Sequence, residues 1–291
     1  MPGNKKLTKF SFTIAGITVS IQSKSTQIKE RLAPIYKDYF SHKNPDLRIN
    51  VKDAKPPRRT ALERLIFQAR SLRLEKEKGS FLLYLPAGKN HPLVKFQPSL
   101  REVKFYSQSA QDVSLLSYLL PSTLLSLKIL EHQGILLHAC GVLDKNKGYL
   151  FVASSGGGKS TLAALALQSG MRVLNDDRIF IRRQKGRFKI YGNPWHGKID
   201  KTLNHSCFIR SIFFLAKARQ NRMRPLNRAE AVLKLYENSI YLPLNSGIIK
   251  KVLYRCCDLA KSLDVFELGF KPDSSIWRFL NGNFKAHPEK K

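Results

Sequence analysis

The chain begins with a regular alternation of apolar and polar residues. In KFSFTIAGITVSIQS (9–23) apolar residues alternate with polar ones on both sides of Ala15-Gly16, a pattern typical of a β-hairpin. Residues 25–40 then predict a helix that begins at a Ser/Thr cap and is interrupted by Pro34. Shorter apolar runs predict four further strands: LRINV, FLLYL, LVKF and EVKFY. The sequence therefore predicts an N-terminal α+β unit over residues 1–108.

The pattern changes near residue 110. From Asp112 to about Glu131 the apolar residues predict a long helix, bent at Pro121. Beyond it, buried strands alternate with helices, which is the order of an α/β fold. The predicted strands are 134–143, 149–153, 172–175, 179–183, 187–192 and 211–216, and the predicted helices are 159–168, 227–237, 246–262 and 274–280. We therefore predict a second, α/β domain over residues 109–291.

A glycine-rich bend follows the second of these strands in YLFVASSGGGKSTLAALALQSG (149–170). Its end fits the phosphate-loop pattern G-x-x-x-x-G-K-[ST], with Ala153 in place of the first glycine. Small residues let backbone N–H groups surround a phosphate, and the helix that follows adds the partial positive charge of its N-terminus. The residues predicted to bind a nucleotide are Ser154, Ser155, Gly156, Gly157, Gly158, Lys159, Ser160 and Thr161. The alternative is a glycine-rich turn that binds no phosphate.

Within this loop, the lysine and serine have separate predicted tasks. Lys159 would reach the β- and γ-phosphates, and the Ser160 hydroxyl would meet Mg²⁺. Ala153 would cost about 1–3 kcal/mol of strain if its position required a positive φ, and nothing otherwise.

Two adjacent aspartates end the next predicted strand. Carboxylates such as Asp176 and Asp177 can hold Mg²⁺ through one oxygen or accept a proton. Neighbouring residues of a strand point to opposite faces, so we expect only one of the two to face the phosphates. An ordinary surface turn is the alternative.

Charge is unevenly distributed along this basic chain, whose formal net charge is +30. Residues 178–229 contain 14 Lys and Arg but a single acidic residue, Asp200, whereas residues 111–177 are neutral. The excess favours an anionic ligand near the aspartates: an acidic peptide or protein, nucleic acid, or an anionic membrane surface. A basic solvated surface without a ligand is the alternative.

Other features of the sequence indicate in which cellular compartment the protein resides. The N-terminus lacks the apolar segment of a secretory signal, and the least charged stretch (113–127) is too short to span a membrane. None of the four cysteines has C-x-x-C spacing, which favours free thiols over disulfides or a zinc site. We therefore expect a cytoplasmic protein without a membrane span.

The segments LLHACGVL, YLFVASSGGGKST and VLNDDR together resemble the catalytic core of HPr kinase/phosphorylase and related bacterial serine kinases. The resemblance covers about residues 110–200 and includes the spacings from His138 to Lys159 and from Lys159 to Asp176. It implies a phosphate-loop (P-loop) core akin to phosphoenolpyruvate carboxykinase. More loosely, the N-terminal unit and NPWHG are similar to HPr-kinase-related proteins of peptide-modification clusters.

The same resemblance implies a role for each matched residue. Lys159 and the three glycines would bind the phosphates of ATP, and Ser160 with Asp176 or Asp177 would hold Mg²⁺. Asp176 would accept the proton of the substrate hydroxyl, and His138 would lie beside the transferring phosphoryl group.

Two departures from the family pattern limit what it implies. The first loop glycine is missing, and no run like E-I-R-G-x-G-I-I-D follows the aspartates; YGNPWHGK stands there instead. The histidine of that run could reach the site, or Trp195 could anchor a purely structural turn. HPr itself as substrate, phosphorolysis and a hexameric assembly are therefore open, and a homo-oligomer is one alternative.

The favoured hypothesis is an ATP-dependent kinase that phosphorylates a hydroxyl, most of all Ser, on a peptide or protein, of which an acidic one is an alternative. Bases among Arg178, Arg182, Arg183, Lys185 and Arg187 could stabilise its phosphates or dock its substrate. The second hypothesis is a nucleotide-binding regulator of a peptide-maturation pathway with little catalysis. A nucleic-acid protein is the third, but no zinc spacing, aromatic signature or reading helix supports specific nucleic-acid binding.

Overall fold

The computed structural model describes residues 7–57, 64–69, 72–85, 93–107 and 110–286. These residues form a mixed α/β structure with two large sheets, and they divide into two units. The first unit comprises Met1–Lys128 with Leu242–Ile249, and the second comprises Ile129–Tyr241 with Lys250–Lys291. The predicted boundary at 108/109 falls inside the first unit, where the Tyr36 hydroxyl donates to the Leu116 carbonyl oxygen.

The first unit is built on an eight-stranded sheet in the order β1-β2-β3-β8-β7-β6-β5-β4. The predicted hairpin is confirmed: β1 and β2 pair in antiparallel register across Ala15 (φ 50°) and Gly16 (φ 76°). Positive φ at both central residues matches the twist of a two-residue hairpin turn. The strands are β1 Thr8–Ile14, β2 Ile17–Ser23, β3 Leu47–Lys52, β4 Arg64–Ala69, β5 Leu72–Glu77, β6 Ser80–Tyr84, β7 Val94–Phe96 and β8 Glu102–Tyr106.

Helix α1 (Thr26–Tyr36) packs its buried residues on this sheet, and a 3₁₀ turn, Lys37–Tyr39, follows it. The ring of Tyr36 stacks on Phe12 of β1 with centroids 4.0 Å apart. Pro34 lies inside the helix without ending it there.

Strands β4 and β5 were not predicted, and β5, LRLEKE, is rich in charged residues. Glu75 of β5 is fully buried, where it is paired with Arg73 and accepts a hydrogen bond from the Tyr84 hydroxyl at 3.0 Å. Because a buried carboxylate needs such partners, its burial depends on neighbouring side chains that a local pattern does not reveal.

The predicted bend at Pro121 is wrong. The helical segment is instead interrupted at residues 115–118, between α2 (Ala110–Ser114) and α3 (Leu119–Glu131). Pro121 falls in the first turn of α3, where its missing N–H would have no intrahelical partner in any case. Among the described residues, Asp112–Glu131 is long and apolar enough to cross a membrane, but 67% of its most apolar window is buried inside the structure, which fits a core helix.

The second unit has a sheet in which five strands close into a ring, in the order β10-β9-β12-β13-β14 and back to β10. Long strand β9 makes this closure possible, since its first half pairs with β12 and its second half pairs with β10. The strands are β9 Gly134–Asp144, β10 Lys147–Val152, β11 Arg172–Asn175, β12 Arg178–Gln184, β13 Arg187–Tyr191, β14 Ser206–Lys217, β15 Arg222–Pro225 and β16 Asp264–Phe270. Of these, β15 and β16 were not predicted.

Four helices complete this unit, the third of them from Lys250 onward: α4 Lys159–Gln168, α5 Arg228–Glu237, α6 Ser246–Ser262 and α7 Ser275–Ala286. Helix α4 has the predicted bounds, and Gly170 after its end has a positive φ of 75°. It buries Leu162, Ala163 and Ala166 in a core that includes the stacked rings of Phe151 and Phe213. This packing fixes the N-terminus of α4 at the end of β10.

All four cysteines are free thiols. Cys140, Cys207 and Cys256 are buried, whereas Cys257 on α6 is exposed. Burial raises the pKa of Cys256 to about 11, so this thiol stays protonated near neutral pH.

Candidate functional site

The glycine-rich bend connects β10 to α4, and each of its glycines has a structural reason. Gly156 and Gly158 have φ values of 78° and 97°, which side chains other than glycine rarely adopt. A Cβ atom on Gly157 would lie 2.5 Å from the Cβ of Ala153. Ala153 itself is buried and does not have a positive φ, so alanine at the first loop position is not strained.

The loop leaves hydrogen-bond donors at the start of α4. Its N-cap residue, Gly158, provides no side-chain cap, and the first turn contains no acidic residue. The first N–H groups of a helix have no intrahelical acceptor, so they are free to bind an anion. Ser154, Ser155, Gly156 and Thr161 are exposed beside these groups. The geometry therefore suits a phosphate at the predicted position.

Lys159 is folded back into the loop and is 6% exposed. Its Nζ donates to the carbonyl oxygens of Ala153 (2.7 Å) and Ser154 (3.1 Å). A third contact, at 2.9 Å, joins Nζ to Nε2 of His138. Burial lowers the pKa of Lys159, and the nearby Asp177, Cys140 and Asp176 oppose that shift. The ammonium group thus occupies the mouth of the loop and must turn outward to meet an incoming phosphate.

His138 lies on β9 and links the lysine to the aspartates. Its Nδ1 is 2.9 Å from the backbone oxygen of Asp177 and 3.2 Å from the Oδ1 of the same residue. Because the Lys159 ammonium has no lone pair, it must donate to Nε2, and Nδ1 then carries the ring proton. With a charged lysine, the His138 ring therefore accepts from Lys159 at Nε2 and donates to Asp177 from Nδ1.

Asp176 is 2% exposed, and both of its carboxylate oxygens accept hydrogen bonds. The Ser160 hydroxyl donates to Oδ2 at 2.8 Å. Three backbone N–H groups also donate, from Gly197 to Oδ1 (2.9 Å) and from Lys198 (3.1 Å) and Ile199 (3.3 Å) to Oδ2. Asp176 therefore ties the first turn of α4 to the segment after NPWHG.

Asp177 is less enclosed, with 25% of its side chain exposed. Besides His138, it contacts Arg178, whose Nε is 3.2 Å from Oδ2. We expected only one aspartate to face the loop, but both connect to it: Asp176 through Ser160, and Asp177 through His138 to Lys159.

Two asparagines that sequence reasoning missed hold these aspartates in place. Asn175 and Asn193 are both fully buried. The side-chain oxygen Oδ1 of Asn175 accepts from the backbone N–H groups of Asp177 (2.8 Å) and Arg178 (2.9 Å), and its side-chain amide donates to the Trp195 carbonyl at 2.5 Å. Asn193 donates to the Arg178 carbonyl at 2.7 Å. The pair thereby joins the aspartate turn to NPWHG.

We predict that Asn175→Ala lowers the free energy of unfolding by about 3 kcal/mol, because it leaves several buried backbone groups without partners. Thermal unfolding followed by circular dichroism measures the effect. Asn146→Ala, at an exposed turn residue, is the matched control and should melt like the unaltered protein. Equal melting temperatures for both variants would contradict the role assigned to Asn175.

The NPWHG segment forms the structural turn that was one of the two alternatives. Trp195 is buried and packs near Phe180, with ring centroids 6.3 Å apart. His196 is half exposed, and its Nε2 lies 3.4 Å from Asp200. A Cβ atom on Gly197 would lie 2.7 Å from the Asp176 carboxylate, so glycine is needed for this close approach.

The basic residues singled out from the sequence are dispersed. Arg178 contacts Asp177 at the site, but Arg182 donates to the His132 carbonyl and Arg183 pairs with Asp258 at 2.6 Å. Arg187 lies over the ring of Phe208, 4.4 Å from its centroid. Arg178 therefore contributes to the site, whereas Arg183 and Arg187 interact with Asp258 and Phe208.

A metal ion at this site would depend on ligands from outside the protein. Across the described part of the chain, no group of three or more His, Cys, Asp or Glu side chains could hold a metal ion. Mg²⁺ characteristically needs fewer, since it keeps waters and binds through one or two carboxylates together with substrate phosphates. Ser160 and Asp176, 2.8 Å apart, fit that requirement.

Comparisons with known proteins give a family and a distant structural likeness. The family model described as "ScmC: SynChlorMet cassette protein ScmC" matches residues 103–280, more than half of the chain. Among curated proteins no sequence matches. A solved structure described as the Hpr(Ser) kinase/phosphatase from Coxiella burnetii is similar over 53% of this chain and 99% of its own, with a TM-score of 0.32 and 13% identity. At that TM-score the likeness establishes neither a shared fold nor a shared activity.

Proposed function

The chain belongs to the SynChlorMet cassette protein ScmC family, and we propose that it is an ATP-dependent kinase with a peptide or protein substrate. It would transfer the γ-phosphoryl group to a hydroxyl, most of all that of Ser. The observation that carries the proposal is the connected set of Ser160, Asp176, Lys159, His138 and Asp177 around the start of α4. These are the charged and polar groups that phosphoryl transfer uses for positioning and charge stabilisation.

The nucleotide's phosphates would be bound by the loop. The free N–H groups at the start of α4 and the partial positive charge of the helix favour an anion there. Lys159 would exchange its bonds to the Ala153 and Ser154 carbonyls for bonds to the β- and γ-phosphates. Such an exchange replaces neutral acceptors by charged ones, which strengthens each hydrogen bond.

Ser160 and Asp176 would be the protein's ligands for Mg²⁺. A bound Mg²⁺ would supply positive charge that stabilises the nucleotide's phosphates during transfer. The hydrogen bond from Ser160 to Asp176 already orients the hydroxyl, and the three backbone donors from residues 197–199 fix the carboxylate.

Asp177 would accept the proton of the substrate hydroxyl, which reverses the role that the family resemblance implies for Asp176. The reason is access: four donors already occupy Asp176, whereas Asp177 is partly exposed. As the hydroxyl oxygen bonds to the γ-phosphorus, the bond from that phosphorus to the bridging oxygen breaks and ADP leaves. His138 would hold Asp177 in place through its Nδ1–H.

A weakly catalytic nucleotide-binding regulator is the second candidate. It is favoured by the lack, within the described residues, of a third carboxylate grouped with Asp176 and Asp177. The two candidates agree on the nucleotide and differ in turnover.

The test combines binding with product analysis. We expect the purified chain to bind ATP with Mg²⁺, and a serine-containing acidic peptide to gain a phosphate, detected by mass spectrometry, as ADP forms. The same peptide with Ala for Ser is the matched control. Binding without ADP formation or a phosphate adduct would favour the regulator, and no binding of ATP would refute both candidates.

A further inference from the structure

We infer that the α5–α6 groove is a docking site for an acidic peptide segment with apolar side chains. This groove, of about 500 Å³, lies between helices α5 and α6 and is lined by Arg228, Ala229, Val232, Leu233, Tyr236 and Leu253. None of these residues belongs to the set around Lys159. The inference therefore does not rest on the proposed kinase activity.

Three large apolar side chains on helices α5 and α6 are exposed to solvent and are not covered by the other described residues. Leu233 is 58% exposed, Leu253 is 38% exposed, and Tyr254, which follows it on α6, is 64% exposed. Half of the large hydrophobic residues exposed in the described part of the chain are these three. Exposed apolar surface grouped in this way, rimmed by polar residues, is typical of a binding site.

The charges beside the groove determine which partner fits. In the ion pairs of the described residues, Arg228, Lys250 and Lys251 have no acidic partner. By contrast, the carboxylates of Glu230 and Asp258 form ion pairs with arginines. Glu237, the other acidic residue of these two helices, forms no ion pair with the described residues. Arg228 lines the groove, and on helices α5 and α6 the unpaired bases outnumber the unpaired acids, which attracts an acidic partner.

A second copy of the chain fits this surface poorly. Each copy has a formal net charge of +30, so two copies repel each other, and like charges across an interface are unfavourable. An acidic amphipathic peptide instead offers apolar side chains for the apolar lining of the groove and a carboxylate for Arg228, in the positive field of Lys250 and Lys251 on α6. Placing an amphipathic helix or strand in an apolar groove is a common mode of peptide recognition.

Isothermal titration calorimetry without nucleotide tests the inference. The probe is a synthetic amphipathic helical peptide with Leu on one face and Glu on the other, and its control has Lys in place of each Glu. We expect the acidic peptide to bind and the Lys version to bind at least about tenfold more weakly. Leu233→Gln and Arg228→Glu should each weaken binding of the acidic peptide by about tenfold.

Leu65→Gln is the matched control variant, because Leu65 is 49% exposed on β4 and should not change binding. Unchanged affinity in Leu233→Gln, or equal affinity for the two peptides, would overturn the inference. Dimerisation of the chain that depends on Leu233, measured by sedimentation equilibrium, would also overturn it. The same holds if phosphatidylserine vesicles or RNA bind in a Leu233-dependent way and the peptide does not bind. Since no nucleotide is present, none of these results bears on kinase activity.

Discussion

Lys159→Ala should reduce ATP-dependent phosphoryl transfer by about 10²–10³-fold or more, because it removes a charged donor aimed at the moving phosphoryl group. The measurement is the rate of ADP formation with saturating peptide and Mg²⁺. The folded state should persist, since the side chain contributes hydrogen bonds to loop carbonyls and to His138 but little apolar packing. Circular dichroism checks that condition.

Lys147→Ala is the control for this variant. Lys147 is an exposed lysine at the start of β10, the same strand that leads into the loop, and its removal should leave the rate unchanged. A folded Lys159→Ala protein that retains full transfer would show that the loop does not serve phosphoryl transfer.

Asp177→Asn should abolish turnover, by about 10²–10⁴-fold, while nucleotide binding is retained, because an amide cannot accept the substrate proton. Asp176→Asn should behave differently. Its amide would bring N–H groups against the Ser160 hydroxyl or the backbone donors of residues 197–199, and unfolding should become easier by about 2 kcal/mol. Single-turnover transfer, nucleotide titration and thermal unfolding together separate the two variants.

Asp200→Asn is the matched control, since that carboxylate is 96% exposed and contacts only the exposed His196 among recorded ion pairs of the described residues. Full transfer by Asp177→Asn combined with loss of transfer by a stable Asp176→Asn would return the proton-accepting role to Asp176. That outcome would leave the kinase proposal intact and reject only the division of roles.

The local elements of the second unit could be predicted well, because long apolar runs and glycines leave clear signals. Helix α4 and strand β11 have the predicted bounds, and the hairpin of β12 and β13 forms around Lys185 and Gly186, both at positive φ. Strand β16, DVFELGF, was missed because its apolar and polar residues do not alternate. Its placement beside β14 and β15 comes from pairing between segments about 50 and 40 residues apart. Such pairing is set by the fold as a whole, not by the local pattern.

The residues of the candidate site could be predicted only where a sequence motif assigns each of them a role. The loop, the aspartates and His138 follow from spacing and resemblance, and the structure brings them into one network. Asn175 and Asn193 could not be found in that way. Polar residues beside a strand end usually indicate a surface turn, and only the approach of residues 193–199 to 175–177 buries these two side chains.

The unequal burial of the four thiols has a practical consequence. Cys257 is the exposed one, and it lies one helical turn after Leu253 on α6. A maleimide dye should therefore attach to the native chain at a single position next to the α5–α6 groove. Its emission would follow occupancy of that surface in real time, with no engineered cysteine needed.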